Sequence, residues 1–183
     1  MELYEAIRGR RDLEASAPEA PSREVIERLL DAATWAPNHR HTEPWRFHVL
    51  AGTGRDALAD AIAAWAAANA MPEGIGTSAR SKLLRAPVAL FVTQIAADTA
   101  EREREDYAAC WCALQNLLLA AHAEGLAAHL STGGILTYEA TRTHLGLAPG
   151  EQVVSLVNIG LPRADAPAKV GARNAPVVRW DWR

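Results

Sequence analysis

Apolar residues recur along the chain with two different periods, and these periods predict where helices and strands alternate. Spacings of three and four residues predict a short helix that ends near Gly9 and a longer helix that follows Ser22, a suitable N-cap. We expect Pro37 to end this second helix. The alternating segment 45–52 is rich in β-formers and predicts a strand, and the alanine-rich segment 55–70 predicts a third helix.

The remaining chain predicts the centre of the fold. Segment 106–123 is apolar on nearly every side, which is typical of a helix in a core or an interface. The other predicted elements are, in chain order, a polar connection with helical tendency at 73–85, a buried strand at 86–94, a brief strand near 126–131, a helix capped by Thr137 and ended by Gly146, and a strong strand at 152–160.

The C-terminal segment 161–183 has no helical period and is rich in proline, so it forms no core of its own. It closes with apolar residues such as Trp180 and Trp182, a poor composition for a disordered end. We therefore interpret it as an arm that adds a strand to another surface. The elements predict one α+β domain over 1–183, with helices on both faces of a sheet.

Composition removes several classes of partner. The 183 residues carry a formal net charge of −3, which gives no general attraction to nucleic acid or to anionic membranes. No apolar run is long enough to span a bilayer, and the N-terminus does not resemble a secretion signal. The two cysteines, Cys110 and Cys112, are interpreted as buried thiols in a reducing cytoplasm rather than as metal ligands, so we expect no metal site.

The sequence contains neither the glycine-rich phosphate-binding motifs nor the nucleophile elbow. The remaining candidates for binding or catalysis are two clusters of polar residues. Three arginines in "RGRR" at 8–11 form a candidate anion site, although a solvated basic face is the commoner meaning of such a run. The second cluster, "APNHRHTEPWRF" at 36–47, is either a loop that satisfies its own backbone or a set of ligand contacts held between two prolines. Composition leaves that choice open.

These clusters belong to a set of motifs that resembles a known family. "RRD" at 10–12, "APNHRHTEPWRF", the helix "ALQNLLLAAHAEGL", "STGG" at 131–134 and "VVSLVNIGLPR" occur in the order seen in FMN-dependent nitroreductases. The likeness spans nearly the whole chain and is strongest to the small, minimal branch of that family. Each motif is weak singly, and their common order and spacing carry the resemblance.

The resemblance implies a three-layer α/β/α sandwich with a mixed, mainly antiparallel sheet. It also implies a homodimer with FMN at the subunit interface and a C-terminal arm exchanged to the partner. The implied activity passes electrons from NADH or NADPH through FMN to a small-molecule acceptor such as a nitroaromatic or a quinone. Because the cofactor carries this chemistry, no catalytic side chain is predicted.

The resemblance also implies site residues. The FMN contacts would be Arg10, Arg11, Asp12, His39, Glu43, Leu130, Ser131 and Thr132. A weaker match implies nicotinamide contacts at Ala120, Ala121, His122, Ala123, Glu124 and Gly125. His39 and Glu43 would meet the flavin of the neighbouring subunit.

Two of these residues depart from the family pattern. Asp12 stands where serine is usual, so it either braces Arg10 or Arg11, contacts a ribityl hydroxyl, or weakens flavin binding. Glu43 replaces an amide and, when ionised, accepts hydrogen bonds but donates none.

Two alternative functions remain open beside the reductase. The first keeps the fold but changes the chemistry, as in deiodination or flavin breakdown. The second is a non-catalytic FMN-binding dimer whose activity was lost through the changes at Asp12 and Glu43.

Overall fold

A computed structural model describes residues 1–13, 16–164 and 173–182. Short 3₁₀ turns lie at His39–His41 and Gly134–Leu136. The helices and strands of these described residues are α1 (Leu3–Gly9), α2 (Arg23–Thr34), β1 (Trp45–Ala51), α3 (Thr53–Ala68), α4 (Ile75–Leu83), β2 (Val88–Gln94), α5 (Ala100–Ala123), β3 (Ala127–Ser131), α6 (Glu139–Leu145) and β4 (Gln152–Gly160).

The four described strands form one sheet in the order β1-β2-β4-β3, and each neighbouring pair is antiparallel. A register shift between Val92 and Thr93 interrupts the β2–β4 ladder. Every residue of β2 is buried, which explains why its sequence is a continuous apolar run rather than an alternation.

Helical layers cover both faces of the sheet, as the sequence predicts. Leu90 and Val92 of β2 pack into a core with α2 and α5, whereas Ala89 and Phe91 pack into a second core with α3 and α4. The alternation follows from the two-residue period of a strand. The protein is therefore a three-layer α+β sandwich.

Helix ends agree with the sequence in part. The Val25 backbone N–H donates to Ser22 Oγ over 3.4 Å, and Gly146 ends α6 with φ of 65°. The predicted Thr137 cap is wrong, because Thr137 Oγ1 donates to the Gly134 carbonyl oxygen and Tyr138 precedes α6. The second helix ends at Thr34, before Pro37 is reached.

Two elements are longer or more regular than predicted. Helix α5 begins at Ala100 instead of residue 106, since Thr99 caps it by accepting a hydrogen bond from the Arg102 backbone N–H over 3.2 Å. The polar connection at 73–85 contains the full helix α4, which buries Ala79 and Leu83. Charged residues on the outer faces obscured both helices in the sequence.

The two outer strands of the sheet differ in how their edges are covered. Residues beside Asp12 run along β3, where the Leu13 N–H donates to the Ala128 carbonyl oxygen and the Leu130 N–H donates to Asp12 Oδ1, both over 3.0 Å. Strand β1 pairs only with β2 among the described residues. The free edge of β1 is therefore the place where this sheet can accept another strand.

Several large apolar side chains are uncovered. Leu3, Tyr4 and Ile7 of α1 are exposed, and only Ala6 of that helix is buried. Trp180 and Trp182 are 70% and 86% exposed, in a segment without regular secondary structure. Residues 165–172 of the predicted arm lie outside the described part, so its strand addition stays a prediction.

The cysteine prediction is half correct. Cys110 is buried, and burial together with the nearby Asp106 carboxylate raises the pKa of its thiol to about 12. Cys112 is exposed, contrary to the expectation that both thiols are buried, because two helical residues that are two apart face different sides. Over 1–13, 16–164 and 173–182, no helix could cross a membrane and no cluster of potential ligands could hold a metal.

One buried carboxylate ties the start of β4 to its neighbours. Glu151 accepts hydrogen bonds from Thr93 Oγ1 and from the Ala148 N–H, and His48 Nε2 lies 3.7 Å from Glu151 Oε1. Burial raises the pKa of Glu151, but the Thr93 and Ala148 hydrogen bonds and the His48 ring lower it, and the net pKa lies below its ordinary value.

We expect Glu151→Gln to lower the free energy of unfolding by about 1–3 kcal/mol at neutral pH, because the charged hydrogen bonds are lost. A lowered folded pKa means that the wild-type advantage is complete above the ordinary pKa of 4.5 and shrinks as pH falls through the folded pKa. Urea denaturation over that pH range measures the effect. Glu139→Gln, an exposed change on α6, is the control, and a difference from wild type that is equal at all pH values would contradict the assignment.

Candidate functional site

The end of α1 places Arg10 at a cavity of about 290 Å³. Arg10 follows the last helical residue, Gly9, and its N–H donates to the Ala6 carbonyl oxygen over 2.9 Å. The cavity is lined by Arg10, Asp12, Trp111, Leu114, Gln115, Leu118 and Leu130. Its walls are thus mostly apolar, with one cation, one anion and one amide, a composition typical of small-molecule sites.

Arg10 is available to bind an anion there. Within the part of the chain that the structure describes, Arg10 makes no ion pair with any carboxylate, although Asp12 lines the same cavity. Arg11 differs, because its Nη1 donates to the backbone carbonyl oxygens of Arg8 and Arg10. The two predicted phosphate-binding arginines therefore take different roles in this structure, with Arg10 free and Arg11 bracing the turn.

Of the three roles that the sequence left open for Asp12, the structure tests only the bracing of Arg10 or Arg11, and the other two stay predictions. Its Oδ2 lies 2.8 Å from His129 Nδ1, and its Oδ1 accepts the hydrogen bond from the Leu130 N–H. The expectation that Asp12 braces Arg10 or Arg11 is wrong, because the carboxylate is already satisfied by β3. These hydrogen bonds to β3 partly offset the repulsion that Asp12, which lines the same cavity as Arg10, would exert on a bound anion.

His129 and Arg85 are polar residues of this region that the sequence argument missed. Arg85 Nη1 lies 2.6 Å from His129 Nε2. A guanidinium only donates, so Nε2 accepts, and Nδ1 carries the proton that it donates to Asp12. The signal was a histidine inside an apolar strand pattern, where a polar partner has to be supplied by another part of the chain.

The second polar cluster is a loop held by its own side chains. Asn38 Oδ1 accepts from the Glu43 N–H over 2.6 Å, and Asn38 Nδ2 donates to Thr42 Oγ1 over 3.0 Å. Arg40, His41 and Glu43 have φ values of 62°, 52° and 43°. Such left-handed conformations cost about 1–3 kcal/mol each in residues other than glycine, and they cluster at functional sites.

Side-chain hydrogen bonds anchor this loop to the N-terminal part of α5. His39 Nδ1 lies 2.9 Å from Glu105 Oε2, and Thr42 Oγ1 donates to buried Asp106 Oδ1 over 2.6 Å. Glu43 is exposed, and its side chain does not line the Arg10 cavity.

The loop and the Arg10 cavity lie at different levels of α5. From Glu105 to Gln115, which lines the cavity, the helix rises by about 15 Å. One chain therefore does not bring His39 and Glu43 together with Arg10 around one cavity.

The predicted flavin segment 130–132 follows the end of β3. Leu130 lines the cavity, Ser131 is buried, and Thr132 is exposed. The Lys82 ammonium group approaches the next residue, lying 3.5 Å from the position that a Cβ on Gly133 would take. Lys82 is thus a further polar neighbour that the sequence argument missed.

The predicted nicotinamide segment forms the last turn and end of α5. Ala121 is fully buried, so its side chain is part of the core. Glu124 forms a two-pronged ion pair with Arg28 over 2.8 Å, and Gly125 has a φ of 73° that ends the helix. His122 contacts α1, where its Nε2 lies 2.9 Å from the position of a Cβ on Gly9. In this structure the segment contributes to packing and to the end of α5, and its contact with nicotinamide stays a prediction.

The fold and the cavity define an α+β sandwich protein with an apolar, arginine-containing site beside its first helix. Residues 7–161 match the Nitroreductase family, and the chain belongs to that family. The family and fold predictions are confirmed, and the chain is an oxidoreductase.

Similar proteins agree with this assignment. The chain is 34% identical over 164 residues to "Putative NAD(P)H nitroreductase YfhC" of Bacillus subtilis, covering 87% of this chain and 84% of that protein. A nitroreductase-like family protein from Bacillus cereus superposes with a TM-score of 0.83 at 28% identity, covering 96% of this chain and 92% of the other. The FMN-dependent nitroreductase NfnB from Mycobacterium smegmatis, solved with NADPH, shares the fold at 18% identity, with a TM-score of 0.75 over 96% and 97% of the two chains.

We expect Thr42→Val to lower the free energy of unfolding by about 1–3 kcal/mol, because buried Asp106 loses the hydroxyl that donates to it. Urea denaturation measures the loss, and faster amide hydrogen exchange in 38–43 locates it. Thr34→Val, which removes an exposed hydroxyl from the end of α2, is the matched control and should change stability by less than about 0.5 kcal/mol. Equal effects of the two changes would contradict an anchoring role for Thr42.

Proposed function

We propose that this protein binds FMN and passes electrons from NADH or NADPH to a small-molecule acceptor, such as a nitroaromatic or a quinone. The observation that carries the proposal is the Arg10 guanidinium, which has no ion pair within the described chain and lines a mostly apolar cavity with residues of α5 and β3. The relatives named above support the same cofactor and reductants.

The side chains around the cavity have the chemical character that the parts of FMN require. A guanidinium suits a phosphate group, and the Trp111 and leucine walls suit a flat aromatic ring system. The volume of about 290 Å³ is at the lower limit for small-molecule sites, which range from about 300 to 1,000 Å³. A site of this size fits one part of a larger pocket that a second subunit completes.

Bound FMN would supply the electron-transfer chemistry, and the protein residues would bind and orient the reactants. Arg10 would hold the phosphate, while Asp12 fixes the position of Leu130 through its backbone N–H. His39 and Glu43 would contact the flavin of the partner from the strained loop, which keeps one geometry because Asn38 and Thr42 hold it. We name no catalytic side chain in this chain, and His39 has a positioning role.

We further propose a cytoplasmic homodimer of one-domain subunits, in which residues 161–183 form an arm. Three features support it: the exposed apolar residues of α1, the exposed tryptophans of the arm and the open edge of β1. In an extended arm, Val178, Trp180 and Trp182 share one face, which would cover the partner. Two free cysteines, Cys110 and Cys112, support a reducing compartment.

We expect Arg10→Ala to weaken FMN binding by roughly ten- to a hundredfold, because a charged hydrogen bond to the phosphate is lost. Fluorescence titration of FMN into flavin-free protein measures the dissociation constant. Arg8→Ala is the matched control from the same basic run, since Arg8 lies outside the cavity and stacks on Tyr4. Unchanged FMN affinity in Arg10→Ala would remove Arg10 from the site.

We expect FMN-loaded protein to lose its yellow absorbance when NADPH or NADH is added without oxygen, and to regain it when a nitroaromatic or a quinone follows. Anaerobic stopped-flow absorbance measures both half-reactions. Protein that fails to bind FMN would contradict the proposal as a whole. Flavin that neither nucleotide reduces would favour the non-catalytic alternative, and conversion of iodoaromatics or of free flavin in place of nitroaromatics would favour the alternative chemistry.

We expect the double change Trp180→Ala with Trp182→Ala to raise the dimer dissociation constant roughly a hundredfold or more, because buried tryptophans dominate interfaces. Light scattering over a range of protein concentrations measures the monomer–dimer equilibrium. Arg179→Ala, on the opposite face of an extended arm, is the control. A double variant that stays dimeric at every concentration would disprove the role of the arm.

A further inference from the structure

A second cavity, of about 330 Å³, lies where α3 and β2 begin. Its walls come from residues 16–18, Arg55 and residues 84–87, which contain two arginines and no acidic residue. None of these residues lines the Arg10 cavity, and none belongs to the predicted flavin or nicotinamide contacts.

The two arginines are held in place by neutral groups. Arg55 Nη1 donates to the Ala86 carbonyl oxygen, while Arg85 Nη1 donates to His129 Nε2. Within the described ranges neither guanidinium forms an ion pair, and Arg55 Nε is buried without a hydrogen-bond partner. Two guanidinium groups without a carboxylate partner thus line one cavity, and guanidinium groups are well suited to bind oxyanions.

Two acidic groups that could neutralise these arginines are engaged elsewhere. Asp56, the residue after Arg55, pairs with Arg80 over 3.2 Å. Asp12 is separated from Arg85 by the His129 ring, which it contacts on the opposite nitrogen. Arg55 also lies in the first turn of α3, where the helix dipole adds positive potential. Among the described residues, this cavity therefore has a positive field and no acidic residue in its walls.

We propose that this cavity binds a phosphate group, held between the forks of Arg55 and Arg85. Guanidinium forks match the oxygens of a phosphate through pairs of parallel hydrogen bonds, and the Ser16 hydroxyl, which donates to the Arg85 carbonyl oxygen, borders the same space. The volume admits either free inorganic phosphate or the phosphate of a nucleotide. The His129 ring separates this site from Asp12, so the site is distinct from the one proposed for FMN and does not depend on it.

The test is isothermal titration of inorganic phosphate into protein kept saturated with FMN, at constant ionic strength. Arg10→Ala protein is titrated in parallel, so that phosphate binding beside Arg10 is excluded even if FMN does not bind. We expect one saturable site per chain in both proteins. Arg55→Gln and Arg85→Gln should each weaken it at least tenfold, since each removes a charged fork.

Arg23→Gln is the matched control, because Arg23 is an exposed arginine of α2 that pairs with Glu27 and lines neither cavity. It should leave phosphate affinity unchanged. Wild-type protein gives an independent readout. We expect phosphate to slow the covalent modification of Arg55 and Arg85 by phenylglyoxal, which peptide mass spectrometry measures. This readout stands even if a variant fails to fold.

Absence of saturable binding, unchanged affinity in both Gln variants, or lack of protection in wild-type protein would each overturn the proposal. Competition by adenosine 2′,5′-bisphosphate but not by AMP would support the site and identify a nucleotide 2′-phosphate as its source. Binding of inorganic phosphate without competition by either nucleotide would support the site with free phosphate as its ligand.

Discussion

Burial of β2 and β4 on both faces is the constraint on which the rest of the structure depends. Leu90 and Phe91 point to opposite sides of the sheet, so each side needs a helical layer. Helix α5 uses one face for this purpose and leaves Tyr107 exposed and Trp111 half-buried on others. The surface beside the Arg10 cavity consequently keeps apolar side chains uncovered, and this is why a second subunit enters the proposed function.

The segment at Asp12 illustrates how one residue type changes a site without removing it. A carboxylate beside a phosphate site is unfavourable if it faces the anion. Here the two oxygens of Asp12 are satisfied by the His129 ring and the Leu130 N–H, and the segment covers the edge of β3 in the same contact. Asp12 therefore acts as a link between the first loop and the sheet, and Arg10 keeps its charge available.

The loop at 38–43 combines strain with strong local bonding. Three residues other than glycine adopt positive φ values, while Asn38 and Thr42 hold the turn and connect it to Asp106. Strain of this kind persists only when the surroundings determine the conformation, and it fixes the direction of the flanking side chains. The interpretation of a loop that satisfies its own backbone is therefore confirmed, whereas ligand contacts of His39 and Glu43 stay a prediction.

The sequence by itself determined the layers, the four strands and the family, because periods of 2.0 and 3.6 residues and the order of short motifs are local properties of the chain. Helix α4 and the first residues of α5 were not predicted because their sequences are mostly polar, and the few side chains that they bury are buried only by tertiary packing. The partners of Asp12, the separation of His39 from Arg10 along α5, and the meeting of Arg55 with Arg85 were decided by tertiary structure alone. Such contacts join residues far apart in sequence, and no local pattern encodes a distance between them.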